Sequence, residues 1–488
     1  MIKEAGGKFE RTQRPVGHGG FHIGRIEYAG AGFRYFYDCG GGKEGAVLIE
    51  KELKETSYYF GVISHFDTDH FAKLIHADVK YVFIPYMDEL DIFMLTVFEF
   101  LRLGEFVNVA GLLEEVRHKI IMVRHGPIDR NDGGVPPDWK PDGDEIGIKG
   151  VDVHVTARGY TISDGETVTI ATKDNPLAKI RFYNHHASDL TPLFLAELDN
   201  IFLKPLPPTG VAESASTIDE PAATTPVDTG SADASATPPA TTPAASSAVA
   251  PGGMCSADTA AVASESAPPV AGSESAMLAP PAKPTKESKE LELKDPEGKP
   301  YANREAFLKG ASNDPATVIS KNAKVLKKIY ENILKKRGET GVTASNLSSL
   351  AMYSCSAERH WYPRSVFTKP PINIGDRFGC DGWMLTGDLE LIGGIWKNFH
   401  EHYFREIDAC IVFNVPHHGS ERAFDQDALS CINNGTIFIF PVRAGSVVHP
   451  APRLKKMFKR NGIEKERRRK VTEKLESQFS LVCYLLPR

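Results

Sequence analysis

The sequence predicts an α/β protein, with strands and helices alternating on both sides of a long low-complexity segment. Two observations predict it. Short apolar runs of strand length recur in both flanks, with amphipathic helical stretches between them. Residues 205–282 consist almost entirely of Ala, Pro, Ser, Thr, Gly and Val with scattered acids, and contain no Phe, Tyr, Trp or Arg. Such a stretch cannot bury enough apolar area to offset its ordering entropy, so it reads as a flexible, partly polyproline-like linker. The charged run from Lys286 to Lys299 reads as linker too. The boundaries expected are therefore 1–204, a disordered 205–300, and 301–488.

In chain order, strand-like runs open at Gly20–Ile26 and Phe33–Tyr37, the second ending in Asp38-Cys39-Gly40. Helical residues follow, then buried strands at Tyr59–Ser64 and Tyr81–Pro85. Asp88–Leu103 reads as an amphipathic helix with an acidic first turn. Short strands recur at Val151–Val155, Thr167–Ala171 and Lys179–Tyr183. Residues 104–150 give little signal, and Arg124-His125-Gly126 with the Gly/Pro/Asp-rich stretch after it suggests a surface loop. Beyond the linker, Ala316–Lys336 reads as an exposed-looking helix. Strands follow at Ser348–Ser354, Gly382–Leu385, Ala409–Asn414, Thr436–Phe440 and Phe479–Leu485, with helices between some of them. No internal repeat is evident.

The chain has 488 residues, with 57 Lys+Arg against 63 Asp+Glu and a net charge of −6. That excludes a bulk polycation, so any nucleic-acid binding must use a local patch. No run approaches the roughly 18 apolar residues of a membrane span. The first eight residues lack the apolar core of a secretory signal. The seven cysteines form no CxxC pair, and their odd number argues against a full disulfide framework. The expectation is a cytoplasmic protein without membrane contact.

The sharpest chemical signal is Ser64-His65-Phe66-Asp67-Thr68-Asp69-His70, directly after an apolar strand. Four imidazole or carboxylate side chains in six residues, at the mouth of a buried strand, form a metal-site pattern suited to zinc, manganese or iron. Leu385-Thr386-Gly387-Asp388 delivers one carboxylate after another strand. Val415-Pro416-His417-His418-Gly419-Ser420 delivers a His pair after a third.

Together these pieces resemble the metallo-β-lactamase fold hydrolases, most of all the hydrolase domain of ComEC-type DNA-uptake competence proteins. The matching pieces, in order, are His18-Gly19-Gly20-Phe21-His22-Ile23, Asp38-Cys39-Gly40, the His65–His70 box, Asn346-Leu347-Ser348-Ser349-Leu350, Leu385–Asp388, Val415–Ser420 and His449-Pro450. They extend across most of residues 15–204 and 340–485. The resemblance implies an αββα sandwich of two mixed sheets flanked by helices, interrupted by the long insertion. It implies two divalent ions, Zn2+ or Mn2+: His65 and Asp67 on the first, Asp69, His70 and His418 on the second, and Asp388 bridging. A bridging hydroxide would be the nucleophile, with Asp69, Asp388 and His417 as catalytic residues and Asp38 in support.

The chain departs from the family pattern twice. Asp67 stands where the second His of His-x-His-x-Asp-His is usual, and Asn346 where the first metal usually gains a His. Both changes favour a harder ion such as manganese at the first site; His185, His186 and His360 are other imidazoles that could substitute. His449 reads either as a loop residue near the site or as a cap before the helix Pro452–Arg460. From Arg453 to Lys470 runs a basic segment, either a solvated face or a patch that attracts nucleic acid. The helix at 316–336 could bind a protein partner. The function expected is a phosphodiesterase or nuclease. The alternatives are an ester or lactone hydrolase, or a catalytically weak regulatory subunit.

Overall fold

The computed structural model describes residues 7–103, 109–116, 119–126, 146–156, 159–186, 190–202, 292–336, 348–357, 361–367, 381–433, 435–463, 465–472, 474 and 478–485. The expected linker over 205–291 lies outside them, as do residues 127–145. Strands before the insertion are β1 (Lys8–Gln13), β2 (His22–Tyr28), β3 (Ala31–Tyr37), β4 (Tyr58–Val62), β5 (Val79–Pro85), β6 (Ile120–Arg124), β7 (Gly147–Lys149), β8 (His154–Thr156), β9 (Gly159–Ser163), β10 (Thr167–Ala171) and β11 (Pro176–His186). After it come β12 (Ser348–Ser356), β13 (Trp361–Phe367), β14 (Gly382–Leu385), β15 (Cys410–Asn414), β16 (Ile437–Pro441), β17 (Arg468–Val471) and β18 (Phe479–Leu485). The helices are α1 (Lys43–Glu55), α2 (Thr68–Phe71), α3 (Glu89–Leu103), α4 (Val109–Glu115), α5 (Leu190–Phe202), α6 (Arg304–Asn313), α7 (Pro315–Lys336), α8 (Gly393–His402), α9 (Phe404–Asp408), α10 (Gln426–Cys431) and α11 (Pro452–Arg460).

The strands form two mixed sheets, so the α/β expectation holds. The first, of ten strands, runs β13-β18-β1-β2-β3-β4-β5-β6-β9-β8. Its β3-β4-β5-β6-β9 stretch is parallel and the remainder antiparallel. The second, of eight, runs β17-β16-β15-β14-β12-β11-β10-β7, with β14 to β17 parallel. Apolar residues of both sheets, among them Phe60, Phe83, Ile180, Phe182, Trp383 and Ile411, make the core between them. Helices α1 and α3 to α7 cover the other face of the first sheet through a second apolar cluster. Helices α8 to α11 cover the second sheet through a third. The layers therefore run helix, sheet, sheet, helix.

Two sequence expectations are corrected here. Residues 292–300, read as linker, dock on the body: Leu293 is buried, and Lys294 N donates to Asn322 Oδ1 at 2.7 Å. The local charge hid one apolar anchor and one buried asparagine that satisfies the backbone around it. Helix α7, read as exposed, buries Val318, Ile319, Leu326, Ile329 and Ile333 in the core under the first sheet. Its apolar stripe is occupied by the protein's own α3, α5 and α6, which removes the apolar face from the partner-binding argument. Strands β1, β6, β7, β9, β13 and β17 and helices α2, α4, α5 and α6 lie outside the elements that the sequence pattern predicts. Among the described residues no helix is long and apolar enough to cross a membrane.

Candidate metal centre

In both sheets the parallel strands end on the same crevice, and the chemistry sits where they end. Strand β3 leads into Asp38, β4 into Ser64 and His65, β14 into Asp388, and β15 into His417 and His418. The two sheets are tied at this point. Leu350 N of β12 donates to Ser64 O at 2.8 Å, and the Tyr37 hydroxyl donates to Leu350 O at 2.7 Å. The His box is braced from behind by Gly40: a Cβ there would lie 2.1 Å from the Asp69 carbonyl carbon. Only glycine lets the two backbones approach this closely.

Hydrogen bonds fix which nitrogen each imidazole offers. Asp38, buried and left-handed at φ 58°, accepts from Ser64 N at 2.7 Å through Oδ1. Its Oδ2 accepts from His70 Nδ1 at 2.8 Å and from Ser64 Oγ at 2.9 Å. Having spent its proton on Asp38, Ser64 Oγ is left to accept from His65 Nδ1, also at 2.9 Å. His418 Nδ1 donates to Pro441 O at 2.9 Å. In all three rings Nδ1 is thus the donor, and Nε2 is left facing the crevice. His65 Nε2, His70 Nε2 and His418 Nε2 are buried and have no hydrogen-bond partner. Three orphaned buried nitrogens would be costly unless something else takes their lone pairs.

The carboxylates lie where that partner would be shared. Asp388 Oδ1 is 3.4 Å from His70 Nε2 and 3.8 Å from His418 Nε2, and its Oδ2 is 3.9 Å from His65 Nε2. Asp69 Oδ2 is 3.6 Å from His418 Nε2 and 3.9 Å from His70 Nε2. Asp67 Oδ2 is 3.8 Å from His65 Nε2. Ligand bonds of about 2.0–2.2 Å in tetrahedral directions put donor atoms roughly 3.4 Å apart, so these separations fit donors around a cation. Two groups could each hold an ion: His65, His70 and Asp388, and Asp69, His70 and His418. Asp67 joins through its contact with His65.

Electrostatics agree with an anionic cradle. Burial, then the neighbouring His70, holds the His65 ring down to about 3. Burial would also lower His70, but Asp388 and then Asp38 raise it well above its usual range. His418 is raised against its burial by Asp388 and Asp69. Burial works to raise both carboxyls, yet Asp69 and Asp388 are lowered by the surrounding imidazoles. A cation entering the centre competes with the His70 and His418 protons for the same lone pairs.

His417 stands at the rim with Nε2 3.8 Å from Asp388 Oδ2. It and His418 both have left-handed backbones, φ 47° and 54°, an uncommon strain that aims consecutive rings in different directions. His449 belongs to the mouth, its ring 6.4 Å from His418. His18, singled out in the sequence only within the piece His18-Gly19-Gly20-Phe21-His22-Ile23, lies between them, 4.9 Å from His418 and 5.2 Å from His449. Ser64 was likewise missed as the relay from Asp38 to His65; its place between a strand end and the first His was the available signal. His185 lies in β11 opposite Ser349 and joins neither group. Asn346, His360 and the His186 side chain lie outside the described residues. No protein-family model matches the chain, and no curated protein matches it.

Proposed function

We propose that the chain is a divalent-metal-dependent phosphodiesterase acting on nucleic acid, with a metallo-β-lactamase-like arrangement of the two sheets around the centre. The observation that carries this reading is the set of three buried Nε2 atoms, locked by their Nδ1 bonds and facing Asp69 and Asp388. His65, Asp67 and Asp388 would hold one ion; Asp69, His70, His418 and Asp388 would hold a second. With one imidazole and two carboxylates, the first favours manganese over zinc. Ions bound there would acidify water and offset the charge of a phosphoryl group during in-line displacement.

The chain's own residues do the rest. Asp38 and Ser64 keep His70 and His65 in the ligating tautomer. His417 stands where it can hydrogen-bond a phosphoryl or leaving-group oxygen, and His18 and His449 line the approach. Three residues after His449 begins α11, whose Arg453, Lys455, Lys456, Lys459 and Arg460 are exposed. Lys455 lies close enough to Lys470 of β17 to help depress its ammonium, after burial. This basic face beside the crevice suits a polyanionic strand.

The test measures metal per chain by mass spectrometry, together with Mn2+-dependent cleavage of single-stranded DNA, RNA and a model phosphodiester. About two ions per chain and cleavage, both lost in Asp388→Ala, are the expected results. Cleavage by that variant equal to the parent's would end the proposal.

A further inference from the structure

The opposite end of the first sheet carries a second cavity, about 810 Å3 in volume. It opens at the amino ends of β4 and β5, whereas the metal centre lies past the carboxyl end of β4. Five strand residues at about 3.3 Å each separate the two by roughly 15–20 Å. Its lining includes Arg25, Arg34, Lys80 and Lys119 against a single acid, Asp78. Asp78 is already engaged, accepting from the Ser57 hydroxyl at 2.5 Å.

The ladder between β2 and β3 makes this charge unusual. Arg25 and Arg34 are direct cross-strand partners. Like charges placed opposite one another destabilise an antiparallel pair. Arg25 is relieved by Glu27 two residues along its own strand. Arg34 and Lys119 are only partly exposed and make no ion pair among the described residues. An anion seated between them would remove the repulsion.

The aromatic lining says which part of such a ligand is read. Tyr59 has Lys80 Nζ over its ring at 5.0 Å and packs against Phe33 at 4.5 Å between centroids. Both neighbours compete with a base for that ring, whereas the cations of the lining are suited to phosphate. Gly32 faces open space, since a Cβ there would meet nothing within 4 Å.

We propose that this groove is a binding site for a small polyphosphate anion, held by Arg25, Arg34, Lys80 and Lys119 through its phosphate chain. The ligand is inorganic tripolyphosphate or the triphosphate of a nucleotide, whose base is not recognised. The site stands independently of the metal centre and of the activity proposed for it.

The experiment is calorimetric titration of the full chain with inorganic tripolyphosphate, ATP, GTP and adenosine, in chelator so that bound metal does not contribute. The Asp388→Ala chain serves as parent, beside the same chain carrying Arg34→Ala and Lys119→Ala. The expected result is one saturable tripolyphosphate site, ATP and GTP indistinguishable from each other, and no binding of adenosine. The double substitution should weaken binding at least tenfold without lowering the melting temperature of the ligand-free protein, since it relieves a repulsion. Tripolyphosphate binding with nucleotides far weaker assigns the site to inorganic polyphosphate, and comparable affinities assign it to nucleotides as well. No saturable binding would overturn the proposal. So would binding that survives the double substitution, or a strong preference between ATP and GTP.

Discussion

Replacing Asp38 by Asn tests the hydrogen-bond logic of the centre with little disturbance of shape. Ser64 N needs an acceptor, so the amide oxygen keeps the Oδ1 position 2.7 Å away. The amide NH2 then occupies the Oδ2 position, facing His70 Nδ1 at 2.8 Å and Ser64 Oγ at 2.9 Å. His70 must now accept at Nδ1, and its neutral ring carries the proton on Nε2, aimed into the donor set. Ser64 Oγ, facing a donor, turns its own proton onto His65 Nδ1, which reverses that ring as well. One substitution thus flips two ligating imidazoles. Loss of a single outer-shell partner typically costs about 10–100-fold in metal affinity; two reversals place the expected loss near 100-fold, about 2.7 kcal/mol. The left-handed backbone at residue 38 suits Asn as well as Asp, so the fold should persist. Chelator competition with Mn2+ and Zn2+, alongside a melting curve, reads the effect. A folded Asp38→Asn protein with the parent's metal affinity would refute the tautomer argument.

Two further predictions concern the interior. His22 is fully buried beside Trp383 with neither ring nitrogen hydrogen-bonded, and burial, then Arg11, lowers its pKa well below 6.5. The folded state keeps the ring neutral while the unfolded state takes up a proton below about pH 6.5. Its contribution is therefore intact above that pH and is lost at about 1.4 kcal/mol per pH unit below it. His22→Phe should flatten that acid-side loss in urea titrations between pH 7 and pH 5; an unchanged slope would count against it. Asp381→Ala strips the carboxylate from the buried Arg11 guanidinium and from Ser356 N. It should destabilise by about 3–5 kcal/mol, and a loss below about 1 kcal/mol would mean that the carbonyls of Ser354 and the residue-381 backbone suffice.

The sequence was most legible where local chemistry repeats a simple pattern. Apolar runs at Tyr59–Ser64, Gly382–Leu385 and Ala409–Asn414 read as strands because the central parallel strands are buried on both faces. The His65–His70 box and Asp388 stood out for the same local reason, since a strand end concentrates its ligands within a few residues. What escaped depends on distant partners. β1 reads Lys8-Phe9-Glu10-Arg11-Thr12-Gln13, too polar for a core strand until Arg11 finds Ser354 and Asp381 some 350 residues away. β17 is hidden in a basic run because an edge strand needs little apolar content. The pairing of His18 with His418 and His449 cannot be read from any single segment. The charge of 292–300 masked the one side chain, Leu293, that docks it.

Strand β18 lies between β1 and β13, so Lys8 and Tyr484, far apart in sequence, are neighbours in one sheet. Vectorial synthesis makes this a matter of timing. The His65–His70 box leaves the ribosome roughly 15–60 s before Asp388 and His418 at about 5–20 residues per second. Until then β1 has only β2 for company, and the second sheet lacks all its parallel strands. A ribosome that stalls in the low-complexity segment releases a product with His65, Asp67, Asp69 and His70 but neither Asp388 nor His418. The donor set of the centre therefore stays incomplete until both Asp388 and His418 have been made.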